Sequence, residues 1–273
     1  MIIDTHLHVW ELSSERYPWN PLATIAPDYA WPVEREVEVM DRYGIGGGVL
    51  VQPSMYRWNN RYLLECARRY PGRFHLVGLV NPEAETVLED MEALAGEGVQ
   101  GLRLGPMLRP DMAWFNTPKT DQIWRKASDL GLILTLLVSP EQVADSRDAI
   151  RRFPGARIIV DHLARPDKAS RPEAMQDLLS LAEFPQVYIK VSALGYMSRE
   201  PYPHQDILAI VRQVYDRFGA QRLMWGTDTP MSQKPEGIPD ALKLIDLALP
   251  GASQAEIDLI KGGTAAMLFE WKN

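Results

Sequence analysis

Eight short apolar runs recur along the chain, and each is followed by a segment with helical periodicity. The first lies in Met1-Ile2-Ile3-Asp4-Thr5-His6-Leu7-His8-Val9-Trp10. The others cover 47–52, 75–80, 99–105, 132–138, 157–163, 187–191 and 222–228. They are short and rich in Val, Ile and Leu, as strands buried on both faces of a parallel sheet are. Helices are expected at 33–43, 59–70, 84–95, 120–130, 140–153, 172–184, 205–218, 239–249 and 254–261. Gly131 follows one helix as a stop, and Pro140 opens another. A chain of 273 residues that alternates in this way fits one α/β domain, residues 1–273, folded as a (β/α)8 TIM barrel. A doubly wound open sheet is the alternative. It is disfavoured because Gly44-Ile45-Gly46-Gly47-Gly48 precedes a strand, whereas a phosphate-binding glycine loop opens a helix.

Composition narrows the function. The formal net charge is −7, which argues against nucleic-acid or membrane-surface partners, since both need clustered Lys and Arg. It leaves room for a small anionic substrate held by a local arginine pocket. The one cysteine, Cys66, allows neither an internal disulfide nor a thiolate zinc site, and it reads as a core residue. No apolar run approaches the about 18–20 residues that span a bilayer. The apolar start is interrupted by Asp4 and His6, unlike a signal peptide. The expectation is a cytoplasmic enzyme acting on a small molecule, with homo-oligomer formation left open.

In a TIM barrel the chemistry sits at the carboxyl ends of the strands. There this chain places His6 and His8, then Gln52 with Ser54 and Tyr56 just beyond, Asn81, Arg103, Ser139, Asp161 and His162, Lys190 and Ser192, and Asp228. Strict strand alternation would put Asp4, His6 and His8 on one face and Ile3, Thr5 and Leu7 on the other. Three imidazoles and the Asp228 carboxylate can bind a divalent ion with one position open. The carboxylate can also take a proton from water. His6, His8, His162 and Asp228 are therefore both the candidate catalytic set and the candidate metal set. Arg103 interrupts an apolar strand and needs an anion, from the protein or from a substrate. Arg103, Gln52, Tyr56 and Lys190 are the candidate substrate contacts. His75, at the opposite strand end, reads as structural.

Specificity is expected in four loops, 11–32, 55–60, 107–119 and 195–204. The first contains Pro18, Pro21, Pro27 and Pro32, and its aromatics suggest an ordered loop packed over something. Trp10, Trp19, Tyr56, Trp58, Trp114, Phe115, Tyr196 and Tyr202 suggest a ring-shaped or apolar-faced ligand. His204 is a further loop residue able to touch it.

Asp4-Thr5-His6-Leu7-His8, Asp161-His162-Leu163-Ala164-Arg165-Pro166 and Trp225-Gly226-Thr227-Asp228 resemble the motifs of the amidohydrolase superfamily. The likeness is to the amidohydrolase-2 group, which contains 2-pyrone-4,6-dicarboxylate lactonase and the fucono- and rhamnono-lactonases. The ending Lys261-Gly262-Gly263-Thr264-Ala265-Ala266-Met267-Leu268-Phe269 resembles that group's last segment, usually closer to GNAxRLF. The resemblance implies a barrel hydrolase in which Asp228 is the base toward water and the three histidines polarise or orient. It also implies that Arg103 meets a substrate carboxylate.

Two departures weaken a metal assignment. Metal-bound members of the superfamily usually add a histidine at the end of strand five, and dinuclear ones a carboxylated lysine on strand four. Here strand five has no histidine, and Arg103 stands on strand four. The expectation is no required cofactor, or one weakly held zinc or manganese ion. The leading reading is a lactonase for a carboxylated or sugar-acid lactone, an activated ester that needs less electrophilic help than an amide. A metal-dependent decarboxylase or hydratase and a non-catalytic small-acid-binding barrel are the alternatives.

Overall fold

A computed structural model describes residues 1–271 apart from 22, 24 and 170–172. Eight parallel strands form one sheet in chain order: β1 Ile2–Leu7, β2 Ile45–Val51, β3 Phe74–Gly78, β4 Gly101–Leu104, β5 Ile133–Leu136, β6 Ile158–Val160, β7 Val187–Ser192 and β8 Leu223–Gly226. Helices cover them from outside: α1 Val33–Arg42, α2 Arg61–Arg69, α3 Val87–Gly96, α4 Pro118–Asp129, α5 Pro140–Arg152, α6 Ala174–Ser180, α7 Leu194–Met197, α8 Gln205–Phe218, α9 Ile238–Ala248, α10 Gln254–Asp258 and α11 Thr264–Leu268. The alternation is the expected one and the fold is a (β/α)8 barrel. The short α7 was not anticipated, and Pro172, the expected start of α6, lies outside the described residues. No helix among the described residues is long and apolar enough to cross a membrane.

Local chemistry sets the element ends. Thr117 caps α4 by accepting from Thr120 N–H, and the Thr120 hydroxyl accepts from Thr117 N–H in return. Pro118 takes the first helical position, where no N–H is needed. Inside the barrel, Ile3, Val49, Val51, Val77, Ile133, Ile159 and Met224 form one apolar layer, plugged from below by Ala265, Leu268 and Phe269 of the α11 segment. His75 lies at this end against Trp271, with ring centroids 4.1 Å apart, as expected of a structural residue.

The β1 alternation is broken. Ile3 belongs to the inner layer, whereas Leu7 packs in the outer core under the helices. Residues four apart on a regular strand share a face. The pairing with β2 shifts register between Asp4 and Leu7, and this irregularity sends the two odd positions to opposite sides. Asp4 therefore does not join His6 and His8. It lies at the seam where β8 meets β1, accepting from Thr227 N at 2.9 Å and Thr227 Oγ1 at 2.6 Å. Asp228 N–H donates to the His6 carbonyl at 2.8 Å, and His8 N–H to the Thr229 carbonyl at 2.9 Å. The seam thus closes through the residues that carry the candidate chemistry.

The 11–32 loop is tied down at its ends. Trp10 and Trp31 exchange both backbone hydrogen bonds at 2.8 Å, and Trp31 Nε1 donates to the buried Glu36 carboxyl at 2.6 Å.

Candidate active site

The site is built in layers on the inward face of the strands. On β7 the side chains of Tyr188, Lys190 and Ser192 follow one another at period two, from the apolar layer toward the mouth. Lys190 is fully buried. Its Nζ lies 3.1 Å from Asp161 Oδ1 and 3.2 Å from His6 Nδ1. Arg103, on β4, donates from Nε to Asp161 Oδ2 at 3.1 Å. Asp161 is thus the hub of the charged layer. Burial pushes its carboxyl up, but Lys190 and Arg103 outweigh that and hold it well below the usual carboxylate range. From sequence Asp161 is a polar residue at a strand end with no assigned role. Its place one alternation above Ile159 was the available signal.

Above this layer stand the histidines and Asp228. Asp161 and His162 fall in a tight turn just after β6, not on the strand as expected. Residues His162, Leu163, Ala164 and Arg165 all have positive φ, 52° to 59°. Such a run is rare for residues with a Cβ, and it turns the His162 imidazole inward. His162 Nδ1 is 2.8 Å from Ser192 Oγ, and its ring centroid is 4.4 Å from that of His6. Burial pushes the His162 imidazole down to about 4, so it is neutral at neutral pH. Burial, with the Lys190 charge beside it, also pushes His6 well below its ordinary value.

His8 Nδ1–H donates to the Val51 carbonyl at 2.8 Å, because a carbonyl can only accept. That bond leaves His8 Nε2 facing Asp228 Oδ1 at 3.2 Å. His6 Nε2 approaches the same oxygen at 3.7 Å. The other Asp228 oxygen accepts from the Ser232 hydroxyl. Burial raises the Asp228 carboxyl, but the His8 bond and the neighbouring imidazoles hold it well below its ordinary value.

Donor atoms of His6, His162 and Asp228 lie within 4.8 Å of one another, and His6 Nε2 is buried without a hydrogen-bond partner. Three of the four residues expected to hold a metal are thus mutually close, and His8 reaches them through Asp228. The set fits one divalent ion.

Two adjoining cavities open above the cluster. One, about 680 Å³, is lined by His8, His162, Asp228, Arg103, Arg165 and Tyr196, among others. Its neighbour, about 630 Å³, is lined by Arg57, Arg103, Arg109, Trp58 and Trp114 with apolar residues. Arg103, Ser54 and Leu108 border both. Arg57 and Arg109 were not singled out from sequence, although both lie in loops marked for specificity.

Three of the four expected substrate contacts are occupied by the protein itself. Gln52 Nε2 donates to the Asn59 carbonyl at 2.7 Å and holds the loop after β2. The Tyr56 hydroxyl is bound to the Glu11 backbone, accepting from its N–H at 2.9 Å and donating to its carbonyl at 3.1 Å. Lys190 lies beneath the histidines. Neither Gln52, Tyr56 nor Lys190 borders the two cavities; Arg103 borders both. Of the loop aromatics, Trp58, Trp114 and Tyr196 line them, whereas Trp10 is buried in the core. His204 turns its Nδ1 to the Glu200 carbonyl.

An amidohydrolase family model matches residues 3–271. An L-fucono-1,5-lactonase of Burkholderia ambifaria is 34% identical over 241 residues, covering 85% of this chain and 81% of its own. A 4-sulfomuconolactone hydrolase of Rhizobium radiobacter is 26% identical, covering 89% of this chain and 81% of its own. Among solved structures, the "probable 2-pyrone-4,6-dicarboxylic acid hydrolase" of Acinetobacter baumannii, crystallised with citric acid bound, superposes with a TM-score of 0.83. It is 27% identical, and the match covers 98% of this chain and 99% of that one.

Proposed function

The chain belongs to the amidohydrolase family, and from that premise we propose that it opens a small anionic lactone with water activated by Asp228. Hydrolysis of an ester bond is the chemistry shared with its lactonase relatives. The observation that carries the finer reading is one carboxylate, Asp228, on the floor of a cavity whose wall continues into Arg103.

Asp228 Oδ1 accepts a proton from water, and the oxygen adds to the lactone carbonyl carbon. The bond from that carbon to the ring oxygen then breaks, and the ring oxygen leaves with the proton. The product is an open-chain acid with one more carboxylate than the substrate. With its pKa held low, Asp228 is a weak base, so its value lies in position, and an activated ester suits that limit. His8 Nε2, 3.2 Å from the same oxygen, can share the proton on its way. His162 borders the same cavity with His6 packed behind it, in a site where burial strengthens a hydrogen bond to developing carbonyl charge.

The arginines support a substrate with an anionic substituent. Arg103 spends Nε on Asp161 and, at the wall shared by the two cavities, has further guanidinium N–H groups to offer a carboxylate. Arg57 and Arg109 line the adjoining cavity. Trp58 and Trp114 give it apolar faces for a flat ring. A divalent zinc or manganese ion held by His6, His162 and Asp228 would supply carbonyl polarisation and a more acidic water.

The test is a pH-indicator assay over carboxylated and sugar-acid lactones, with and without chelator. Turnover of an anionic lactone supports the reading. Binding without turnover of any lactone would point instead to a non-catalytic acid-binding barrel.

A further inference from the structure

We propose that Lys190 is a positioning residue that fixes His6 as the tautomer protonated on Nε2, a hydrogen-bond donor on the Asp228 side that must shift its proton before that nitrogen can bind an ion. Lys190 is fully buried, and the carboxylate 3.1 Å from its Nζ keeps it an ammonium. An ammonium has three donors and no acceptor. Its 3.2 Å contact with His6 Nδ1 is therefore N–H to nitrogen lone pair, and Nδ1 carries no proton. In a neutral imidazole the proton then sits on the other nitrogen. That nitrogen, Nε2, is buried without a hydrogen-bond partner in the protein, and its nearest acceptor is Asp228 Oδ1 at 3.7 Å.

A metal-bound histidine needs the opposite arrangement: a lone pair toward the ion and an N–H toward a carboxylate or carbonyl behind it. Asp161 stands behind His6, with Oδ1 3.6 Å from Nδ1, beyond hydrogen-bond reach. That oxygen instead pairs in charge with the Lys190 ammonium at 3.1 Å. For Nε2 to coordinate an ion, His6 must break from Lys190 and move its proton to Nδ1. Lys190 thus sits where it decides between two uses of one imidazole. Removing its donors frees Asp161 to accept from Nδ1–H and turns the Nε2 lone pair toward His162 and Asp228.

The catalytic consequence rests on the lactonase reading, but the tautomer does not, because it is measured without substrate. The experiment is a long-range proton–nitrogen correlation spectrum of the full chain labelled with ¹⁵N-histidine, at neutral pH, with His6→Gln used to assign the His6 signals. Wild type is expected to show the Nε2–H pattern, and Lys190→Met the Nδ1–H pattern. Zinc ion, titrated in competition with a chromophoric chelator, is expected to bind Lys190→Met at least tenfold more tightly than wild type. Lys190→Arg, which keeps donors, is expected to keep the wild-type pattern. If Lys190→Met fails to fold, the wild-type and Lys190→Arg spectra decide. An Nδ1–H pattern in wild type, or a Lys190→Met protein with unchanged tautomer and unchanged zinc affinity, overturns the proposal.

Discussion

The backbone N–H of Asp228 donates to the carbonyl of His6 at 2.8 Å. Barrel closure and placement of the candidate base are therefore one event. Thr227 reinforces the seam: its hydroxyl donates to Asp4 Oδ2 at 2.6 Å and accepts from Thr229 N–H at 3.0 Å. Thr227→Val removes both contacts while keeping the shape. It is expected to lower stability by about 1–3 kcal/mol, the cost of leaving buried polar groups unpaired, and to lower kcat more than it changes KM. Denaturant unfolding and steady-state kinetics check this. An unchanged kcat would show that the seam does not place Asp228.

Gly226 marks how closely β8 approaches β1. A Cβ there would lie 3.1 Å from His6 N and 3.2 Å from His6 Cβ. Gly226→Ala must push the two strands apart by a few tenths of an ångström, and small misplacements of reacting groups are expensive. A fall of about tenfold in kcat is expected. Gly251→Ala, where nothing lies within 4 Å, serves as the control and should match wild type.

Arg109 tests the anion-binding reading without opening the core. It lines the cavity beside Arg103, and its pairing with Asp111 is at the surface. Arg109→Ala is expected to raise KM for a carboxylated lactone by about tenfold or more, the worth of a hydrogen bond to a charged group. An uncharged lactone should be little affected. Equal loss on both substrates would remove Arg109 from substrate recognition.

Glu36 gives a pH dependence of stability. Burial pushes its carboxyl up to about 8 from an ordinary 4.5, against the lowering effect of the Trp31 hydrogen bond. The folded protein thus keeps a proton that the unfolded chain releases above about 4.5. Between these values the native state binds more protons, so this group's contribution falls as pH rises from about 4.5 to about 8. Glu36→Gln cannot ionise. Its unfolding free energy should decline less between pH 5 and pH 8 than that of wild type, by about 1 kcal/mol or more. Parallel pH profiles would mean that Glu36 is already ionised in the fold.

Much of this architecture was legible in the chain. Apolar runs such as Leu132-Ile133-Leu134 and the glycine and proline stops between them define the alternation, because a parallel strand buried on both faces has little choice of residue. The rim residues followed once the barrel was assumed. Two kinds of feature were not legible. The register shift in β1 depends on how Asp4 and Leu7 meet β2 and β8, which no periodicity within one strand encodes. Lys190 and Gln52 are polar residues at strand ends, as a substrate contact would be. What separates them from Arg103 is depth and the partners already bound: those of Lys190 come from distant parts of the chain, and that of Gln52 from the fold of the loop that follows it. His162 depends on a run of positive-φ residues that carry side chains, with no glycine to announce it.

On this mechanism Asp228 takes the proton from the water that opens the ring. The most direct measurement is lactone hydrolysis by Asp228→Asn against wild type, on whichever anionic lactone wild type turns over, with folding of both verified by circular dichroism. An amide keeps the shape and the Ser232 contact but cannot accept that proton as a carboxylate does. Asp228→Asn is expected to lower kcat by about 10²- to 10⁴-fold, the usual worth of a positioned base, with KM changed far less. Full activity in Asp228→Asn would contradict it.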